Sequence, residues 1–166
     1  MSKIENVPIN EDVLFQVDGL LSAFAEVLDS GQIEQWPNLF TEEASYSLHD
    51  AEDDERGLPL AYILDDCRER LLDRVKFITE VWKGTVESYR TRHIVQRTGI
   101  TLGDTPNEYN LRSNILVTYC QVEGTSNILC SGRTEDVVQL GSQGALFLSR
   151  RVILDGVPAR YLVYPV

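Results

Sequence analysis

The stretch that decides the fold is residues 114–154, NILVTYCQVEGTSNILCSGRTEDVVQLGSQGALFLSRRVIL. Its short apolar runs are separated by EGT and GSQG, connectors that are rich in turn residues and too short for anything but hairpins. A third connector, GDTPNE, lies upstream. Together they predict four strands, at about 92–102, 109–122, 127–140 and 145–154, joined as an antiparallel meander.

Two amphipathic segments precede this meander and predict helices. The first follows Asn10, a residue suited to an N-cap, and stops at Gly31. Its apolar residues recur at steps of three and four, as one face of a helix requires. They are Val13, Leu14, Val17, Leu20, Leu21, Phe24, Val27 and Leu28. The WPNLF that follows predicts a tight turn anchoring Trp36 and Phe40 in the core.

The second predicted helix follows Pro59, which suits a first helical turn, and ends near residues 82–84. Its apolar stripe consists of Leu60, Ile63, Leu64, Cys67, Leu71, Val75 and Ile78. Between the helices, ASYSL at 44–48 alternates enough for a short strand. The acidic run HDAEDDER at 49–56 lacks the glycine and the ligand spacing of a calcium loop, so we interpret it as a solvated loop.

Helices grouped ahead of an antiparallel sheet define the α+β class. A chain of 166 residues without linker or repeat predicts one domain over 1–166. A long meander curved around helices makes a cone, by analogy with the ketosteroid isomerase and nuclear-transport-factor superfamily. The strands carry apolar residues on both faces, in NILV, VV and ALFL. Either a bulge disturbs their alternation, or another subunit covers the outer face, since large exposed apolar patches are uncommon on monomers.

The charge balance excludes several classes of partner. Fifteen basic residues stand against 26 acidic ones, a net charge of −11 that suits neither nucleic acid nor an anionic membrane. No apolar run approaches the roughly 20 residues of a membrane span, and MSKIENVPINEDV has no signal-peptide core. These features predict a cytoplasmic protein. Cys67, Cys120 and Cys130 are widely spaced and are interpreted as reduced thiols.

Catalytic motifs are missing from the sequence. It has no phosphate loop, no metalloprotease motif and no nucleophile elbow, and its two histidines mark no complete iron-ligand set. A cone-shaped pocket could still carry acid–base chemistry without a cofactor. The candidates for such a pocket are Tyr46, His49, His93, Tyr119 and Asp136.

The surroundings of these candidates favour structural roles. His93 lies among Arg90, Arg92 and Arg97 in YRTRHIVQR, a pattern that indicates ion pairing or hydrogen bonding more than catalysis. Asp136 lies in SGRTEDVV, a charged cluster more typical of a salt-bridged interface than of a catalytic base. The two tyrosines are expected to pack with their hydroxyl groups at an edge.

Several strings resemble one family, in order and in spacing. LDSGQIEQWPNLFTEEASYSL and ERGLPLAYILDDCRERLLDRV resemble the N-terminal and second-helix regions of the small (β) subunits of Rieske-type aromatic-ring-hydroxylating oxygenases. YRTRHIVQ, LRSNILVTY, CSGRTEDVVQL and LFLSRRVILD resemble its strand motifs, and the likeness runs from Val13 to the final YLVYPV. The RGLPL region is most similar to the branch that acts on aromatic acids such as salicylate, anthranilate or terephthalate.

The resemblance implies a cone-shaped subunit in a hexamer of three large and three small chains. In that family the large subunit carries the Rieske [2Fe–2S] cluster and the mononuclear iron, a ferredoxin or reductase acts indirectly, and the small subunit is mainly structural. Candidates for the subunit interface are then Arg90, Arg92, His93, Arg97 and Arg133. A stand-alone cone-fold isomerase, cyclase or dehydratase stays open as the alternative, as does a transport or scaffold module.

Overall fold

The computed structural model describes residues 9–85, 89–122 and 124–166. Residues 1–8, on which part of the signal-sequence argument rests, and Glu123 of the EGT connector lie outside the described residues. The helical elements are α1 (Glu11–Asp29), a 3₁₀ helix (Ile33–Leu39), α2 (Ala51–Glu55), α3 (Arg68–Lys76) and a π-helix (Phe77–Trp82). The strands are β1 (Phe40–Asp50), β2 (Ile63–Asp65), β3 (Tyr89–Leu102), β4 (Glu108–Gln121), β5 (Ser126–Gly141) and β6 (Gly144–Leu154).

In the described part of the chain, six strands form one sheet in the order β2-β1-β6-β5-β4-β3. The four predicted strands are present, and each pairs with the next as an antiparallel hairpin. Register shifts occur in the pairing of β3 with β4, of β4 with β5 and of β5 with β6, and such bulges bend a sheet. Strand β1, for which the sequence predicts no partner, pairs with β6 in parallel, so the sheet is antiparallel everywhere except at this pair.

Helix α1 has the predicted boundaries and the predicted buried face. The Asp12 amide donates to the Asn10 side chain at 3.0 Å, which caps the first turn. Gly31 follows the helix with φ of +74°, the left-handed conformation that a glycine adopts without a steric penalty. The buried residues of α1 are Val17, Leu20, Leu21, Phe24 and Leu28. This face packs into the curve of the sheet.

The second helix begins later than the sequence predicts. The residues expected to form its first turns, after Pro59, include instead the edge strand β2. This strand pairs antiparallel with Tyr46 to Leu48 of β1. Leu60 and Leu64 are exposed, whereas Leu71 and Ile78 are buried as predicted. The backbone of Ile63–Asp65 forms ladder hydrogen bonds with β1, so it is not available for the predicted helix. The remainder of the stripe lies in α3 and in the π-helix that continues it.

Two predictions for the segment between the helices need correction. The strand predicted at 44–48 extends over Phe40–Asp50, and the acidic run at 49–56 contains α2 rather than a loop. Asp50 caps α2, accepting from the Glu52 amide at 2.8 Å. WPNLF lies largely in a 3₁₀ helix, and Trp36 is buried as predicted. None of the helices in the described part is long and apolar enough to cross a membrane.

The outer face of the sheet is only partly covered by the chain itself. Asp54 of α2 forms ion pairs with Arg133 and Arg151, which places α2 over β5 and β6 and buries Ile153 beneath it. Farther along the sheet, Ile94 and Ile128 keep 55% and 60% of their surface exposed. Some apolar residues of the outer face are therefore covered by α2, and others are exposed to solvent.

Candidate functional site

A buried ion pair lies inside the cone, beneath α1. Arg150 Nη1 donates to Asp136 Oδ2 at 3.0 Å, and neither side chain has any exposed surface. The Thr134 hydroxyl donates to the same oxygen at 2.9 Å. Burial raises the pKa of Asp136 to about 6, against the opposing effect of the Arg150 charge. The guanidinium lies 4.0 Å from the ring centre of Phe24 and 4.8 Å from that of Phe147, within cation–π range.

This pair is enclosed rather than poised for catalysis. Arg150 Nε and Nη2, Asp136 Oδ1 and the Ser113 hydroxyl are buried and have no hydrogen-bond partner among the described residues. Neither Asp136 nor Arg150 lines any of the cavities described for the molecule. A general base must come within hydrogen-bond reach of its substrate. We therefore interpret the pair as a structural contact that stabilises the packing of α1 on the sheet.

His93 is bound to the end of α1 by Asp29. Its Nδ1 lies 2.7 Å from Asp29 Oδ1, and because a carboxylate only accepts, Nδ1 carries the proton and donates. The His93 amide donates to Asp29 Oδ2 at 3.0 Å, and the Thr91 hydroxyl donates to Oδ1 at 2.9 Å. Burial lowers the pKa of His93, and the Asp29 hydrogen bond works in the opposite direction. The net effect of the burial disfavours the charged form of the imidazole.

Arg97 forms a second attachment between the same two elements. Its Nε and Nη2 donate to the two Asp18 oxygens at 2.6 and 3.0 Å, a bidentate pair. These hydrogen bonds lower the pKa of Asp18. Asp18 and Asp29 are 11 residues apart, about three helical turns, so both face β3 from one side of α1. The sequence predicts roles for His93 and Arg97, whereas both carboxylates were missed, although their spacing along α1 could have indicated them.

The other candidate interface residues differ in how far they are engaged. Arg133 pairs with Asp54 at 3.1 Å and with Glu135 at 3.7 Å. Arg92 donates to the backbone carbonyl of the neighbouring Thr91. Arg90 is exposed and forms no ion pair with a described residue. Arg90 and Arg92 are therefore the candidates most free to contact another chain.

The five candidates for a catalytic pocket meet only in part, because Tyr46, His93 and Asp136 all interact with the charge of Arg150 inside the cone. Tyr46 is buried, and its hydroxyl donates to the Val166 carbonyl at 3.1 Å and accepts from the Val166 amide at 3.0 Å. His49 Nδ1 lies 2.8 Å from the Leu60 carbonyl oxygen. Tyr119 packs edge-to-face with Tyr89, at 5.9 Å between ring centres. Each of these side chains therefore ties together parts of the fold at a different place.

A cavity of about 370 Å³ adjoins His93. It lies between the end of α1, residues 82–84, the start of β3, Leu129 of β5 and the C-terminal segment 162–166. Of the five pocket candidates, His93 lines it and the other four do not. No group of three or more His, Cys, Asp or Glu side chains that could hold a metal ion occurs among the described residues. Cys67, Cys120 and Cys130 are free thiols.

Fold and site together define a cone-shaped α+β protein whose interior polar groups hold the structure together. Residues 24–157 match the model of the ring hydroxylating beta subunit family, and the chain belongs to that family. The predicted family resemblance is thereby confirmed.

Relatives with known activity and solved structures agree with this assignment. The chain is 26% identical over 152 residues to the small subunit of anthranilate 1,2-dioxygenase from Burkholderia cepacia, covering 92% of each chain. It is 27% identical over 128 residues to subunit beta 2 of the terminal oxygenase component of terephthalate 1,2-dioxygenase from Comamonas sp, covering 77% of this chain and 79% of the relative. A solved chain from Novosphingobium aromaticivorans, ascribed to the beta subunits of aromatic-ring-hydroxylating dioxygenases, superposes with a TM-score of 0.79 at 26% identity, covering 90% of this chain and 93% of the other. The predicted fold class is confirmed.

Proposed function

We propose that this chain, as one domain over 1–166, is the non-catalytic small subunit of a multicomponent ring-hydroxylating oxygenase, and that it assembles and stabilises the large subunits. The observation that carries the proposal is family membership over residues 24–157. The site adds support, because His93 and Asp136 are engaged in contacts within the chain rather than arranged around a substrate.

The substrate class proposed for the complex is an aromatic carboxylate. The relatives named above belong to dioxygenases for anthranilate and terephthalate, and both compounds carry a carboxylate on an aromatic ring. The proposal assigns the Rieske cluster and the mononuclear iron to the large subunit, with three large and three small chains in a cytoplasmic complex supplied by a ferredoxin or reductase. Ring hydroxylation is then a property of the complex and not of this chain.

The exposed part of the outer face is the surface that we propose for contact with the large subunit. Ile94 pairs with Leu116 across β3 and β4, and Thr118 pairs with both Arg92 and Ile128. We call Ile94, Leu116, Thr118 and Ile128 the outer patch. Apolar residues with arginine at their edge are the composition that protein interfaces favour. Arg92 and Arg90 lie on the same face of β3 as Ile94, at alternate positions along the strand.

Native mass spectrometry of the complex purified from its own host tests the assignment. We expect equal numbers of this chain and of a larger, iron-containing chain. Recovery of this chain only as a monomer or homodimer would contradict the proposal and direct attention to the stand-alone enzyme alternative.

The position of the interface is tested by substitution. Ile94→Glu combined with Ile128→Glu is expected to prevent complex formation while leaving the circular dichroism of the chain unchanged, because both side chains are exposed. Phe15→Glu is the control, since Phe15 is an exposed apolar residue too, at 82% of its surface, but lies on α1, on the other face of the sheet. If the double variant still assembles as well as the control, the outer patch is not the contact surface.

A further inference from the structure

Strand β3 lies at one edge of the sheet and is long for that position. It has 14 residues, and among the described strands it pairs with β4 alone. The strand at the opposite edge, β2, has three residues. A free edge presents a row of unpaired N–H and C=O groups with which another chain can pair, so natural proteins keep edge strands short or protect them. The edge of β3 therefore needs a protection that β2 does not.

Two hydrogen bonds show which backbone groups of β3 point away from β4. The His93 amide donates to Asp29 Oδ2 at 3.0 Å, and the Thr91 carbonyl oxygen accepts from Arg92 Nη1 at 2.9 Å. In an antiparallel ladder, residues whose N–H and C=O face the partner strand alternate with residues whose groups face away from it. Thr91, His93 and Val95 therefore present their backbone groups at the free edge, and two of these groups are already bonded.

The two bonds come from opposite sides of the strand. Asp29 ends α1, and its side chain is only 15% exposed. Its other oxygen accepts from the Thr91 hydroxyl and from His93 Nδ1, which fixes the carboxylate in place. Arg92 is exposed and reaches the Thr91 carbonyl from the outer face. A strand that added to this edge would have to displace both side chains.

The rest of the edge offers little to a second strand. The register of β3 with β4 shifts between Arg97 and Gly99, and such a bulge interrupts the row of groups that strand addition requires. Two edge-facing residues, Val95 and Arg97, remain between the bonded positions and the bulge. A pairing over so few residues is marginal in water. The bonds at Thr91 and His93 thus stand where a longer pairing would otherwise begin.

We propose that Asp29 and Arg92 cap the free edge of β3 and thereby prevent a second copy of this chain from adding to it as a strand. A second copy is the partner that the edge fits, because two identical edges can pair antiparallel about a twofold axis. The run TRHIVQRT at 91–98 is rich in β-branched residues, which favour strand pairing. The caps act in the isolated chain, whatever complex the chain later joins.

Sedimentation velocity of the isolated chain tests the Arg92 cap. Arg92→Ala frees the Thr91 carbonyl and is expected to raise the self-association constant about tenfold, because a symmetric pair of edges gains two hydrogen bonds. Arg90→Ala is the matched control. Arg90 is an exposed arginine on the same face of the same strand, but it has no hydrogen bond to the edge among the described residues.

Asp29→Ala tests the second cap. It also destabilises the fold, so its control is a variant that loses stability without touching the edge. Leu21→Ala meets this need, because Leu21 is a buried residue of the same helix. At temperatures at which circular dichroism shows equal folded fractions, Asp29→Ala is expected to self-associate more strongly than Leu21→Ala.

Amide hydrogen exchange locates the contact. In the associating variants, the Val95 amide should exchange more slowly as the protein concentration rises, since it faces the edge that becomes paired. The proposal is overturned if neither variant associates more strongly than its control, or if association leaves exchange at Val95 unchanged. All these measurements use this chain by itself, so native mass spectrometry of the complex succeeds or fails independently of them.

Discussion

Asp29→Asn is expected to destabilise the chain by about 2 to 4 kcal/mol, because it breaks the buried attachment of α1 to β3. Three donors converge on the Asp29 carboxylate: the Thr91 hydroxyl, the His93 amide and His93 Nδ1. An asparagine keeps one acceptor oxygen and places an NH₂ group where the other stood, so one donor faces another. A hydrogen bond to a charged group contributes about 1.5–3 kcal/mol, and an unsatisfied buried donor costs about 1–3 kcal/mol.

The same helix offers a matched control. Asp18→Asn weakens the pair with Arg97, which joins the same two elements, but Asp18 keeps 51% of its side chain exposed, against 15% for Asp29. An exposed pair contributes about 0.2–1 kcal/mol, since water screens it. The two variants therefore compare a three-donor, mostly buried attachment with a more exposed ion pair between the same two elements.

Urea denaturation of the two variants and the parent chain measures this difference, and thermal unfolding gives a second estimate. For a chain of this length, 1 kcal/mol lowers Tm by about 2–4 °C, so Asp29→Asn should lower it by roughly 5–15 °C. Amide hydrogen exchange at His93 should also accelerate, since that amide donates to Asp29. If Asp29→Asn costs no more than Asp18→Asn, the buried contact does not hold the two elements together.

Further predictions concern other contacts of the sheet. His93→Gln is expected to alter the pH dependence of stability. Because the folded-state pKa of His93 is lowered, the parent chain should lose stability relative to the variant as the pH falls below about 6.5. A difference between the urea midpoints of parent and variant that stays constant across pH 5–8 would contradict this. Gly132→Ala should lower Tm sharply, because a Cβ at this position would collide with the Ile153 carbonyl oxygen of the neighbouring strand; an unchanged Tm would show that β5 and β6 can separate at no cost. Arg97→Glu should replace the attraction to Asp18 with repulsion and destabilise the isolated chain by about 1 kcal/mol, so an assembly defect with an unchanged Tm would place its main role in the interface.

Local patterns in the sequence were sufficient for most of the fold. The predicted strand at 92–102 begins three residues after β3 does, and the other three strands agree as closely, because turn-rich connectors end each strand within a few residues. Helix α1 was predicted correctly because its cap, its apolar period and its terminal glycine all agree.

The errors arise where a distant partner decides between two local structures. The apolar residues after Pro59 fit a helical period, yet Ile63–Asp65 become a strand because the edge of β1 is open to them. The parallel pairing of β1 with β6 leaves no local signal, since the paired residues are about 100 positions apart. No pattern within either segment records such a contact.

The site was predicted in part for a comparable reason. His93 was correctly interpreted as a hydrogen-bonded residue, but its partner was sought among acids in general. The spacing of Asp18 and Asp29 along α1 corresponds to about 16 Å, and that of His93 and Arg97 along a strand to about 13 Å. The two pairs could therefore have been matched once α1 was assumed to lie along β3.

The parallel pairing of β1 with β6 affects how the chain folds while it is being synthesised. Tyr46 of β1 lies opposite Arg150 of β6, so β1 leaves the ribosome about 100 residues before its neighbour on that side exists. At about 5–20 residues per second, this interval lasts roughly 5–20 s. During it, the apolar side chains of β1 that end in the core have no meander to pack against, and a chaperone or a neighbouring nascent chain can reach them. Completion of the sheet therefore waits for one of the last strands to be made, although β1 is the first to be translated.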